Sequence, residues 1–324
     1  VQQIKWYLLL PRQLQRYHSN AYMMKPCYDV VVVIPAGPGT NIAFLKDTID
    51  SYRFYSRCSS KIILIDDSAC GLGKQLAPDY PDVDILVSKK PLGVWAGLYV
   101  TLSRAFKHAL SHYQFQLLFK MDTDALVIGH EPENEAAQLL KSNSQMGIAG
   151  QYKFDYHGRL WDTGWPRDRV LNGATTWRFV RRPLPNIVLR KLYVKAVKNG
   201  YDAGESVFGG ACFYNYHFLH ALQEHKLLAH PLVGRLNLGE DHLFSLMAKA
   251  LGFELNNLSS PGQPFALAWK ELPAAPEQLH NEGRKIIHST RAWQGMDEKA
   301  IRAFFKAKRD EIDAAPKVET LVSF

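Results

Sequence analysis

The chain has 324 residues, 47% of them hydrophobic and 22% charged, an ordinary globular composition with enough apolar residues for a sizeable core. Lys and Arg number 39 against 31 Asp and Glu, a formal charge of +8 that suits a phosphate-bearing ligand, an anionic membrane surface or nucleic acid without choosing among them. Cys27, Cys58, Cys70 and Cys212 form no CxxC pair, which excludes a zinc-type spacing and fits free thiols in a reducing compartment.

Residues 1–28 read as an extension, whose apolar stretch Trp6 to Leu10 is far too short to span a bilayer. Asp29 to Pro35 is a continuous β-branched run, the pattern of a strand buried on both faces. Gly37, Pro38 and Gly39 make a turn, after which Thr40 is expected to cap a helix running to about Tyr55. Strands follow at Lys61 to Ile65, ending on Asp66 and Asp67, and at Asp84 to Val87. A helix over 94–112 then precedes a strand from Gln116 to Met121 that ends on Asp122. Alternating strands and helices predict an α/β fold with a mostly parallel sheet, whose ligands bind beyond the carboxyl ends of the strands.

Residues 151–208 read as a long irregular insert rich in Gly, Pro, Arg and aromatics, among them Tyr152, Tyr156, Trp161, Trp165 and Trp177. Within it Asn186 to Lys198 reads as a helix, with Leu189, Leu192, Tyr193, Ala196 and Val197 on one face. That face either packs on the core or, with Arg190, Lys191, Lys195 and Lys198 beside it, contacts a membrane surface. A short strand at Ala211 to Tyr214, helices over 215–226 and from Glu240 to Gly252, a short strand ending on His288 and a closing helix over 297–308 complete the chain.

Chemistry concentrates at Asp122-Thr123-Asp124. Two carboxylates one residue apart at a strand end can share a divalent cation, and oxygen ligands suit Mg²⁺ or Mn²⁺ bridging a nucleotide diphosphate. Acidic triplets are common on solvated surfaces; the place of this one at the end of the fourth strand gives it weight.

The order of these motifs resembles the nucleotide-sugar-dependent glycosyltransferases of the GT-A fold, family 2 in particular. The residues that carry the resemblance are Val31 to Pro35, Ile65-Asp66-Asp67-Ser68, Asp122-Thr123-Asp124, Phe208-Gly209-Gly210-Ala211, Gly239-Glu240-Asp241-His242 and Ile287-His288-Ser289. It covers roughly residues 29–290, while the Arg-Asn signature common after the third strand is absent and Gly93 to Gly97 stands near its place. The resemblance implies a nucleotide-sugar-binding half over 29–135, an acceptor half over 136–295 and a C-terminal helix and tail over 296–324. It implies a donor site of Pro35, Ala36, Asp66, Asp67 and Asp122; where the Arg-Asn signature is absent, Lys89 and Lys90 stand as substitutes, and Lys285 and Arg291 near His288 could approach the diphosphate. Asp124, Asp122 and His288 would hold the metal. Asp241 would be the base and Glu240 would help position the acceptor; a carboxylate within reach of a hydroxyl can take its proton, although carboxylates at a helix start also serve as plain caps. Gly209, Gly210, Trp161, Asp162 and Trp165 would meet the acceptor, since sugars lie across aromatic faces, though loop aromatics can equally form their own small core.

The expected reaction is metal-dependent sugar transfer with inversion from a UDP-sugar to a hydroxyl acceptor, a glycan or glycolipid. Asp66 or Asp67 would accept from the uracil N3–H. The alternatives are a sugar nucleotidyltransferase, against which Pro38 and Asn41 stand in the first loop, and a catalytically silent sugar or nucleotide binder. No nucleic-acid partner is expected, because net charge alone argues for one. The expected location is cytoplasmic with peripheral membrane contact through 186–198; a Golgi lumen applies if an upstream anchor was removed, and the sequon at Asn257 speaks only weakly for a secretory route.

Overall fold

The β-branched run that opens the sheet folds as β1 (Val30–Ala36), every residue but Pro35 buried, in a computed structural model that describes residues 25–176 and 180–314. Trp6 to Leu10, Trp177 and the tail after 314 lie outside the described residues. Parallel to β1 run β2 (Ser60–Asp66), which also pairs with β3 (Asp84–Val87), and β4 (Leu117–Met121). A short strand, β5 (Leu126–Val127), leaves the main sheet just past the acidic turn. The main sheet continues through β6 (Met146–Tyr152), β7 (Val207–Asn215) and β8 (Glu254–Asn257) in the order β3-β2-β1-β4-β7-β6-β8. Only β7 runs against the rest, so this is a mixed α/β fold with a mostly parallel central sheet flanked by helices.

Period-two alternation divides the core between the two faces of the sheet. Val31, Val33, Ile63 and Leu118 pack with Phe106 and Phe244 on one side, and Val32, Ile34, Leu64 and Phe119 pack with Leu45, Ile49 and Phe213 on the other. A small sheet of β5, β9 (Phe265–Leu267) and β10 (Ile286–His288) lies beside the main one and ends on His288. The strand order reverses between β1 and β4, so the loops after these two strands flank the crevice where such sheets bind ligands.

Three expectations are corrected. The helix Ile42–Tyr55 is capped by Asn41, whose Oδ1 accepts from the Ala43 N–H at 2.8 Å, and not by Thr40. The insert 151–208 holds a helix before the expected one, Gly164–Ala174, which buries Pro166, Val170 and Ala174 four residues apart. Its second helix, Pro183–Lys198, starts earlier than 186 because a proline suits the first turn. It packs on the helices Gly164–Ala174 and Glu240–Ala250 through Leu189, Leu192 and Ala196, but Val197 points outward. No helix among the described residues is long and apolar enough to cross a membrane.

Candidate active site

At the end of β4 the chain turns through Asp122-Thr123-Asp124, and this turn is held from several directions. The Thr123 carbonyl accepts from Thr48 Oγ1 at 2.9 Å and from Arg302 Nη2 at 2.7 Å. The Asp124 carbonyl accepts from the Thr290 N–H at 2.9 Å and from its hydroxyl at 3.0 Å. Arg302 comes from the closing helix Glu298–Ala314 and also pairs with Asp47 at 3.0 Å, so the C-terminal helix buttresses the acidic turn.

Asp122, Asp124 and His288 offer ligand atoms that all lie within 4.8 Å of one another. His288 Nε2 stands 3.2 Å from Asp124 Oδ1 and 3.9 Å from Asp122 Oδ2. Its Nδ1 lies 2.7 Å from the Ala268 carbonyl, so in the neutral ring that nitrogen donates and Nε2 turns its lone pair toward the carboxylates. Burial disfavours charge on His288, but Asp124 and Asp122 outweigh it and raise its pKa. Burial likewise disfavours the charged Asp124, yet His288, Arg291 and the Ser289 hydroxyl hold it well below the usual carboxylate range. Ser289 Oγ donates to Asp124 Oδ2 at 2.7 Å, and Arg291 Nε lies 2.8 Å from the same oxygen. Two carboxylates and one oriented imidazole could hold a divalent cation.

The glycine pair on β7 separates this triad from the carboxylates of the helix Glu240–Ala250. A Cβ on Gly210 would sit 2.6 Å from His288 Cγ and Nδ1, and one on Gly209 would sit 2.9 Å from Glu240 Oε1 and 3.2 Å from Asp241 Cβ. Both positions therefore make room for site side chains, a role different from the acceptor contact expected of them. Gly239 is the N-cap of the helix, so neither carboxylate occupies the cap position itself. Burial first, then the charges of Asp241 and Asp122, push Glu240 up to about 8 against the opposing effect of Lys120. Asp241 is more exposed, and its Oδ1 accepts from the His242 N–H at 2.8 Å.

Lys120 joins the two groups. Its side chain is 1% exposed, its Nζ donates to the Gly209 carbonyl and to Asp122 Oδ1 at 2.7 Å, and it approaches Glu240 Oε1 to 3.8 Å. Sequence reasoning missed it, although a lone lysine inside an all-buried strand was a signal, since a buried ammonium requires anionic partners.

Aromatic rings border the site on the insert side. Trp161 meets Phe208 edge-on at 5.2 Å, and Phe208 in turn meets His288 at 5.6 Å. Trp165 packs against Trp95 at 4.8 Å and His242 at 6.1 Å. Trp95 opens the helix Ala96–His112, in the stretch that lacks the Arg-Asn signature. Asp162 Oδ1 accepts from the Gly164 N–H at 2.8 Å, shaping the start of its own helix.

On the donor side Ala36 ends β1, its carbonyl accepting from the Asp67 N–H at 2.8 Å, with Pro35 half-buried before it. Asp66 is 2% exposed, and its oxygens accept from Ser68 and from the Gly73 N–H at 2.9 Å. Asp67 is buried too and accepts from the Leu92 and Gly93 N–H groups at 2.9 and 3.1 Å, which fixes the loop after β3. Lys89 and Lys90 are exposed on that loop. Lys285 pairs with Glu135 at 2.7 Å and Arg291 with Asp124, so of these two the arginine stands at the acidic cluster.

No family model and no curated protein matches the chain. Among solved structures it is similar to S. aureus TarS 1–349, at 14% identity and TM-score 0.41 over 72% of this chain and 58% of that one. It is also similar to the mannosyltransferase PcManGT from Pyrobaculum calidifontis, solved with GDP-Man and Mn²⁺, at 13% identity and TM-score 0.40 over 76% and 60%. A third is the apo bifunctional glycosyltransferase WbbM, at 11% identity and TM-score 0.45 over 91% and 52%. The chain thus spans less than two thirds of the length of each.

Proposed function

We propose that the chain is a metal-dependent, inverting glycosyltransferase that moves a sugar from a nucleotide-diphosphate donor, a UDP-sugar in the first instance, to a hydroxyl acceptor on a glycan or glycolipid. One observation carries this reading: Gly209 and Gly210 keep a carboxylate–imidazole set and a carboxylate pair at contact distance of adjacent residues on one strand. Asp122, Asp124 and His288 would hold the cation, whose chemistry when bound is to neutralise charge on the departing diphosphate.

The remaining roles fall to the chain itself. Asp241 takes the proton of the acceptor hydroxyl, and a base of this kind implies single displacement with inversion. Burial and its anionic neighbours push Glu240 toward its protonated form, which suits it to position the acceptor and not to take its proton. Lys120 fixes Asp122 and Glu240 relative to the strand between them. Trp161 and Trp165 offer faces to the acceptor, and Pro35, Ala36, Asp67 and Lys89 border the donor.

Calorimetric titration of UDP, GDP and dTDP, with and without Mn²⁺, tests the donor site in the wild type and in Asp124→Ala. The expected result is one nucleotide whose binding needs Mn²⁺ and disappears in the variant; failure of all three nucleotides removes the transferase reading. Asp241→Asn should keep donor binding and lose turnover, whereas a silent binder would turn over in neither form.

A further inference from the structure

The insert and the segment leading to the helix Glu240–Ala250 border an open cleft of about 300 Å³, lined by Arg169, Arg181, Arg182 and Arg235 together with Asn172 and Asn237. No Asp or Glu lines it, and among the described residues Arg169, Arg182 and Arg235 form no ion pair with a carboxylate. Arg182 Nη1 donates to the Arg235 carbonyl at 3.2 Å, which ties two of the walls together. Arg169, Arg182 and Arg235 are exposed along a lining that holds no carboxylate, and planar N–H forks of this kind match the oxygens of a phosphate.

The charge is not that of a helix terminus. Pro183 and Pro185 remove backbone donors from the first turn of the helix Pro183–Lys198, so the side chains supply the donors.

The cleft adjoins the carboxylates of Glu240 and Asp241. Leu238 lines it and precedes Asp241 by three residues, a reach of at most about 11 Å along the chain. On the other side Arg169 lies 5.4 Å over the ring of Trp165, which packs on His242. The helix that begins beside Arg181 and Arg182 turns Leu184, Ile187, Val194 and Val197 outward, with Arg190, Lys191, Lys195 and Lys198 also exposed.

We propose that this cleft is a phosphate subsite on the acceptor side, so that the acceptor of the transfer carries a phosphate monoester or diester near the hydroxyl that reacts at Asp241. The proposal rests on the transferase reading for its place in the reaction, but the binding site stands on its own lining. The phosphate has two sources consistent with the lining, a soluble phosphorylated glycan or a lipid headgroup, the second drawing also on the exposed apolar and basic helix face.

The test uses the full chain in EDTA, titrated with inorganic phosphate by calorimetry, and sedimented with phosphatidic acid or phosphatidylcholine vesicles. Wild type should bind phosphate, and Arg169→Gln/Arg235→Gln should weaken it by roughly 10- to 100-fold, the loss expected of charge-assisted hydrogen bonds. Arg182→Gln is a second variant in case the double one does not fold. Asp124→Ala should bind phosphate like the wild type in EDTA and, in a separate titration with Mn²⁺ in place of EDTA, should lose the nucleotide. Binding of phosphatidic acid vesicles alone, lost in the arginine variants, assigns the phosphate to a lipid; binding of inorganic phosphate assigns it to a soluble group. Binding of neither, or binding that the arginine variants leave intact, overturns the subsite. Loss of nucleotide binding with phosphate binding retained would instead remove the transferase reading and leave the subsite standing.

Discussion

His288 stands in the space that a side chain on Gly210 would need: a Cβ there would fall 2.6 Å from the ring. The ring cannot yield, because its Nδ1 is fastened to the Ala268 carbonyl and the residue is buried. Gly209 faces the carboxylates instead, and the atom it would meet first, Glu240 Oε1 at 2.9 Å, is the far end of a flexible side chain. Two neighbouring glycines therefore differ in what they protect. Gly210→Ala is expected to weaken Mn²⁺ binding at least about tenfold by displacing one of its ligands, as changes around metal ligands do. Gly209→Ala should leave the Mn²⁺ isotherm nearly unchanged and lower turnover. Equal effects of the two on Mn²⁺ would refute this division.

Lys120 is expected to be structural and positional at once. Lys120→Met leaves Asp122 and Glu240 in a buried site without their common cation, a change that costs about 3–5 kcal/mol when one partner of a buried pair is removed. Chemical denaturation measures the loss directly. Added Mn²⁺ should restore part of it, because a cation at Asp122 replaces the missing charge; an Asp124→Ala/Lys120→Met double variant should show no such recovery.

Arg302 carries a similar expectation from the far end of the chain. It is 4% exposed and donates to Thr123, Asp47 and Glu298 together. Arg302→Ala should destabilise the protein by about 3 kcal/mol and weaken Mn²⁺ binding, although the residue touches no expected ligand. Arg309 also reaches Asp47, so it moderates the first effect but not the second, which acts through the Thr123 carbonyl. A variant with lowered stability and an unchanged Mn²⁺ isotherm would show that the turn holds itself.

How much of this was legible in the sequence follows from what kind of contact fixes each residue. β1, β2 and β4 carry apolar runs whose buried faces leave little freedom, so they and the acidic turn could be read directly, while the short, half-exposed β3 could be read from Ile85 to Val87 alone. The strand Met146–Tyr152 escaped because Gly147 and Gly150 lower its β-propensity while the side chains of Phe253 and Val207 crowd them. The insert helix Gly164–Ala174 escaped because Gly and Pro sit in its first turn. Asp66 could be read as a strand-end carboxylate but not as the cap of its own loop, since that depends on the path of residues 68–73. Arg302 is the clearest case of the unreadable: its partner Thr123 lies 179 residues away, and no local pattern marks the pairing.

The aromatic border separates acceptor from donor. Trp165 packs on Trp95 and His242 and lies away from the acidic turn, so Trp165→Ala should raise the acceptor KM with little change in the nucleotide Kd. Stacking losses of this kind amount to about 0.5–1.5 kcal/mol beyond the buried area, or roughly 2- to 12-fold in KM. Equal weakening of nucleotide binding would place the ring on the donor instead.

Glu240 makes stability depend on pH in a direction opposite to that of an ordinary surface carboxylate. Its pKa in the folded chain is pushed up to about 8 by burial and by Asp241, from an unfolded value near 4.5. The folded state therefore holds a proton that the unfolded state releases between these limits. Stability contributed by protonated Glu240 is fully present below about pH 4.5 and is lost as pH rises through about 8. Asp124 acts in the reverse sense, because its depressed pKa contributes stability above the usual carboxylate range that is lost only as the solution becomes strongly acidic. His288, whose pKa is raised by Asp124 and Asp122 against the effect of burial, contributes in the same sense as Glu240, so the share of Glu240 in the decline is the part that Glu240→Gln removes. Melting temperatures of wild type and Glu240→Gln across this range, in EDTA, should converge in acid and separate in base, with the variant the more stable at pH 8. Parallel curves would mean that Glu240 ionises in the folded chain as easily as in the unfolded one, and that Lys120 neutralises it fully.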